Sequence, residues 1–89
     1  MIAEKQVTIL NTLGLHVRPS AAFAGTASRF RSAVSVIKDG QAVNAKSSID
    51  LLTLAAVAGT RLTLRADGED AGRALEALTR LIETGFGEE

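Results

Sequence analysis

His16 is the single histidine of the chain, in the segment Asn11-Thr12-Leu13-Gly14-Leu15-His16-Val17-Arg18-Pro19, just past a glycine and just before residues at helical spacing. A helix start carries backbone N–H groups without intrahelical acceptors and the positive end of the dipole, and both attract anions. Arg18 precedes Pro19, and a residue before proline is biased away from helical geometry, so its guanidinium is expected free to fork onto a phosphate. An imidazole titrating near neutrality is a competent nucleophile toward an activated phosphoryl group, and adjacent positive charge would steady the phosphohistidine formed. A lone histidine beside an arginine also has a plainer reading, as a solvated loop residue or a helix cap. A metal centre is not expected, because one histidine and no cysteine make no ligand cluster. Nothing resembles a Walker loop, and Gly25, Gly59, Gly72 and Gly85 have turn or packing readings, so no cofactor and no direct use of ATP is expected.

The elements that must position these residues follow from periodicity. Gln6-Val7-Thr8-Ile9 alternates with period two and runs into the turn-forming Asn11-Thr12-Leu13-Gly14, which predicts a first strand. Pro19, Ala22, Phe23, Thr26, Ala27 and Phe30 fall at helical spacing, with the only proline in the first turn, and predict a helix to about Phe30. Val34-Ser35-Val36-Ile37 and Gln41-Ala42-Val43 flank Lys38-Asp39-Gly40, a hairpin signal. Ser47-Ser48-Ile49-Asp50 has the form of a capping box leading into Leu51, Leu52 and Leu54. Arg61 to Ala66 alternates as a fourth strand, burying Leu62 and Leu64. After Asp67-Gly68, residues Ala71, Ala74, Leu75, Leu78, Leu81 and Ile82 form the stripe of a last helix, with Gly85-Phe86 as its stop. Arg61, Arg65, Asp70, Arg73, Glu76 and Arg80 read as solvated faces, with Asp70 and Arg73 as a weak pair. The order β-α-β-β-α-β-α predicts an α+β fold with one antiparallel sheet and helices on one face, while strand order stays open.

Composition narrows the partners. With 89 residues the chain is expected to be a single domain, 1–89, and 46% hydrophobic residues argue against disorder. Ten Lys+Arg balance ten Asp+Glu, which removes the basic footprint of a nucleic-acid or anionic-membrane binder. Without Trp or Tyr and with three Phe, stacking on bases or sugars has little to work with. Zero Cys excludes disulfides, and with no signal peptide or long apolar run the chain reads as cytoplasmic and without membrane insertion; a monomer is expected.

Gly14-Leu15-His16-Val17-Arg18-Pro19-Ser20 resembles the Gly-Leu-His-x-Arg-Pro-Ala signature of HPr, the histidine-containing phosphocarrier family of the bacterial phosphoenolpyruvate-dependent phosphotransferase system. Val43-Asn44-Ala45-Lys46-Ser47 is similar to that family's second signature, and the similarity runs from about residue 4 to 84. The resemblance implies an open-faced β-sandwich with strand order 1-4-2-3 and three helices. It implies that His16 accepts a phosphoryl group from enzyme I and passes it to EIIA-type acceptors, that the protein is a carrier rather than an enzyme, and that Arg18 stabilises phosphohistidine. Ser47 would be the site used by an HPr kinase/phosphorylase, and a docking patch would centre on Ala21, Ile49 and Leu52, with Leu51 also contributing. Leu13 stands where sugar-branch members often carry Asn or Ser, Ser20 replaces the usual Ala, and Ser48 replaces an apolar patch residue. Leu13 and the ending Thr84-Gly85-Phe86-Gly87-Glu88-Glu89 look more like the nitrogen-branch regulatory paralogue. A competing reading from the element order alone is a small ferredoxin-like module that senses a metabolite in a dry cleft and has no need of His16.

Overall fold

The computed structural model describes residues 1–88. Strands β1 (Ile2–Thr8), β2 (Ala33–Lys38), β3 (Gln41–Asn44) and β4 (Arg61–Asp67) alternate with helices α1 (Val17–Ala27), α2 (Ser48–Leu52) and α3 (Ala71–Glu83), and a short 3-10 turn, Gly85–Gly87, follows. The sheet is antiparallel with strand order β1-β4-β2-β3, as the resemblance implies. No helix of the described residues is long and apolar enough to cross a membrane.

Period-two burial turns the sheet into a one-faced layer. On β4, Leu62, Leu64 and Ala66 point into the core while Arg61, Arg65 and Asp67 stay exposed, and Val34 and Val36 of β2 join the same face. Phe23, Ala24 and Ala27 of α1, Leu51 of α2 and the α3 stripe of Ala71, Ala74, Leu75, Leu78 and Ile82 close over it. The β2–β3 hairpin pairs Lys38 with Gln41 across Asp39-Gly40, both of which have positive φ (49° and 82°), the tight turn that matches strand twist.

Three boundaries differ from the periodicity. β1 starts at Ile2, ahead of the alternating Gln6–Ile9, because pairing with β4 from Ile2↔Asp67 to Thr8↔Arg61 holds a stretch whose Glu4, Lys5 and Gln6 are all exposed. α1 stops at Ala27, because Arg29 N–H bonds Thr26 O and Phe30 N–H bonds Ala27 O, tightening the last turn so that Phe30 only leans on the core. Arg18 lies inside α1, against its pre-proline bias: Pro19 sits in the first turn, where the missing N–H needed no acceptor.

Asp70 does more than face solvent. It occupies the N-cap position of α3 but makes no cap hydrogen bond, and its carboxylate accepts instead from the Ser32 hydroxyl and from the N–H groups of Arg31 and Ser32, both at 2.9 Å. The start of α3 is thereby tied to the approach to β2. The Ser32 hydroxyl, with the Arg31 amide next, holds the Asp70 carboxyl at about 2, below the usual 3.8. A depressed carboxyl contributes stability that is present above the unfolded value and is lost as pH falls through the folded one. Asp70→Asn should therefore melt below the wild type above pH 3.8, with the gap closing as pH approaches about 2. Thermal melts across that window check it, and a gap that stays constant down to the lower pH would contradict the clamp.

Candidate phosphoacceptor site

The loop from Asn11 to Leu15 fixes where His16 emerges. Gly14 N–H bonds Asn11 O (3.1 Å), the Asn11 side-chain amide donates to Gly14 O (2.7 Å), and Leu15 N–H bonds Ala56 O in the loop before β4 (2.8 Å). Leu15 is buried, and the Ser20 hydroxyl, also buried, donates to Leu15 O (3.2 Å), so Ser20 is accommodated with its polar atom paired. Gly14 has φ +71°, a conformation that favours glycine, and lies directly on the backbone of Ala56 and Val57.

His16 is the N-cap residue of α1 in extended geometry (φ −85°, ψ −166°), and its side chain makes no cap hydrogen bond. The imidazole is 32% exposed. Its Nε2 lies 3.0 Å from Oε1 and 3.2 Å from Oε2 of Glu88. The hydrogen bond to His16 leads the influences that hold the Glu88 carboxyl below its usual value, helped by the Asn11 amide and the charges of His16 and Arg18. An ionised carboxylate only accepts, so the proton of this pair resides on Nε2. In the neutral ring that leaves the lone pair on Nδ1, which has no hydrogen-bond partner among the described residues.

The helix start that carries the ring suits an anion. Pro19 has no N–H, and the amides of Val17 and Arg18 have no partner among the described residues. Among the described residues the exposed Arg18 side chain makes no ion pair, and it lines a hollow together with Thr12, Leu13, Gly87 and Glu88. The geometry brings His16 and Arg18 together and adds Glu88 and Asn11, which sequence reasoning missed. Glu88 reaches the ring from 72 positions away.

The second cluster lies on α2, which packs against α1. Ser47 caps α2, its hydroxyl accepting from Asp50 N–H at 3.2 Å. The reciprocal arm of a capping box is absent, since Ser47 N–H bonds Asn44 O instead. Ile49 is 74% exposed and Leu52 38%, and Ala21 on α1 is exposed. Leu51, expected to share the patch, is fully buried: it is the one residue by which this five-residue helix enters the core. Val17, at the first position of α1, is a further exposed apolar side chain (68%).

Residues 3–84 match the family described as "PTS HPr component phosphorylation site". The chain belongs to the HPr family. It is 47% identical over 85 residues to the phosphocarrier protein HPr of Neisseria meningitidis serogroup B, covering 96% of each chain. The crystal structure of HPr-C-His from Thermoanaerobacter tengcongensis superposes with a TM-score of 0.94 at 45% identity, covering 98% of both chains. A second structure from that organism, described as an HPr dimer, matches with a TM-score of 0.79 at 45% identity over 92% of this chain and 94% of that one, so the expected monomer stands beside a dimeric relative. As a member of the HPr family the protein is a phosphocarrier of the phosphotransferase system, working with other proteins of that system, and not an enzyme. This replaces the metabolite-sensing alternative.

Proposed function

We propose that the protein takes a phosphoryl group from phosphorylated enzyme I onto Nδ1 of His16 and passes it to EIIA-type acceptors. The observation that carries this reading is the ring at the N-cap of α1, with Nε2 engaged by Glu88, while Nδ1 and the amides of Val17 and Arg18 at the same helix start have no partner among the described residues. Nδ1 attacks phosphorus, the bond from phosphorus to the donor breaks, and its electron pair leaves with the donor. The amides of Val17 and Arg18, the helix dipole and the Arg18 guanidinium then stabilise the phosphoryl oxygens. Ala21, Ile49 and Leu52, with Val17, form the apolar surface a partner dehydrates, in a small transient interface of about 1,200 Å² or less. Ser47 is the modification site for an HPr kinase/phosphorylase. A phosphoryl group there would complement the start of α2 yet place charge beside Ile49, weakening docking. One domain, residues 1–89, carries these roles in the cytoplasm.

The test is a complete relay. Incubation with phosphoenolpyruvate and enzyme I should add one acid-labile phosphoryl group per molecule, and an EIIA-type acceptor should remove it, both read by mass spectrometry. A protein that stays unlabelled, or a label that no such acceptor discharges, would overturn the reading.

A further inference from the structure

We propose that Glu88, clamped by Asn11, is a positioning residue for phosphoryl transfer: its carboxylate fixes the His16 ring through Nε2–H and balances the positive charge that the ring gains on phosphorylation. This rests on His16 being the phosphoacceptor.

The C-terminal turn is shaped to deliver this carboxylate. After α3 the chain runs through Gly85, Phe86 and Gly87 with φ of 63°, 58° and 74°, three successive left-handed residues. Such a run reverses the chain, and at Phe86 it carries backbone strain that something must offset. Phe86 is itself packed against the core, which anchors the turn, and Glu88 is set down on the Asn11 loop. The match to the family model ends at residue 84, so Glu88 lies outside the matched residues.

Asn11 shows that the position is built. It is 1% exposed, and its side-chain nitrogen serves two acceptors, Gly14 O at 2.7 Å and Glu88 Oε1 at 3.1 Å. Because both partners are acceptors, the amide has one usable orientation, and that orientation leaves Asn11 Oδ1 buried with no partner among the described residues. An unpaired buried oxygen costs stability, and here it accompanies a carboxylate held at the ring. The same Asn11 amide therefore braces the His16 loop and the Glu88 carboxylate together.

The chemistry that follows is specific. When the Nδ1 lone pair bonds to phosphorus and the donor leaves with its electron pair, the ring keeps its Nε2 proton and becomes a phosphoimidazolium with one positive charge. Glu88, already hydrogen-bonded at Nε2, faces that charge, as a buried carboxylate does behind a catalytic imidazole. Onward transfer returns the electron pair to Nδ1 and restores the neutral ring without moving the Nε2 proton. A ring that lost this proton would hold its phosphoryl group as a poorer leaving group. Among the described residues, the charged groups at this position are Glu88 from the C-terminal turn and Arg18 from α1, whose positive charge also helps hold the Glu88 carboxyl below its usual value.

Glu88→Gln and Glu88→Ala test this against the wild type with phosphoenolpyruvate, enzyme I and an EIIA-type acceptor, alongside imidazole 15N spectra of the phosphorylated proteins. Both variants should accept and donate phosphoryl about tenfold more slowly, the scale of one charge-assisted hydrogen bond, with melting temperatures close to wild type. At mildly alkaline pH the phosphorylated wild type should keep its Nε2 proton, and both variants should lose it. Wild-type rates and unchanged Nε2 protonation in both variants would overturn the role of Glu88 while leaving His16 the acceptor. A wild type that is not labelled at His16 would instead remove the reading on which it rests. Slower transfer with Nε2 protonation unchanged would also count against it, since that pattern marks only a displaced loop.

Discussion

His16→Ala is expected to abolish labelling by phosphoenolpyruvate and enzyme I while leaving the melting temperature within about 4 °C of wild type. Two observations separate the function of this residue from its structural contribution. As N-cap it makes no side-chain cap hydrogen bond, so truncation removes none of the support that a capping side chain gives to α1. Among the described residues its side chain has one polar partner, the partly exposed Glu88, and such pairs contribute little to folding. Chemically there is no substitute, because the chain contains no other histidine and no cysteine. Mass spectrometry and a thermal melt on the same preparation check both halves. Equal labelling of the variant would place the phosphoryl group elsewhere.

Gly14→Ala is expected to destabilise the protein by about 2–5 kcal/mol, with two causes acting together. One is conformational, since φ of +71° is unfavourable for a residue with a Cβ. The other is space: a Cβ there would fall 2.8 Å from Val57 Cα and closer still to Ala56 O. Both are backbone atoms, and the hydrogen bond from Leu15 N–H to that same Ala56 O pins the two segments, so neither can give way cheaply. The loop must lift, carrying His16 away from the Val17 and Arg18 amides, and transfer should fall along with stability. Gly59 separates the causes, having φ of +87° with nothing near an added Cβ. Gly59→Ala should therefore cost only the strain, about 1–2 kcal/mol, and leave transfer unchanged. Denaturant melts of both variants decide it, and equal losses would show that the close approach to Ala56 and Val57 contributes nothing.

The features visible in the sequence are those fixed by neighbours along the chain. Asp39-Gly40 between β-branched runs, the α3 stripe from Ala71 to Ile82 and the Ser47 cap each need only a few adjacent residues, and each is found where the spacing predicts. His16 and Arg18 belong here too, since both stand at one helix start. What stayed hidden depends on distant pairing. Asp70 looks like a cap or a surface acid, and only the approach of Ser32 turns it into a clamp. Leu51 and Leu52 are chemically alike, so the packing of α2 alone decides that one is buried and the other faces out. Glu88 follows a glycine-rich helix stop that reads as an ending, and the three left-handed residues that return it to His16 have no periodic signature.

The claim that the carrier chemistry resides on one ring nitrogen is tested most directly by phosphorus–nitrogen coupling. The protein, labelled with 15N in its single histidine, would be phosphorylated with phosphoenolpyruvate and enzyme I and examined by NMR under alkaline conditions that preserve phosphoramidates. The expected result is a 31P signal coupled to Nδ1 of His16, with Nε2 uncoupled. Coupling to Nε2, the nitrogen that Glu88 engages, or a phosphorus signal with no coupling to the imidazole at all, would contradict it.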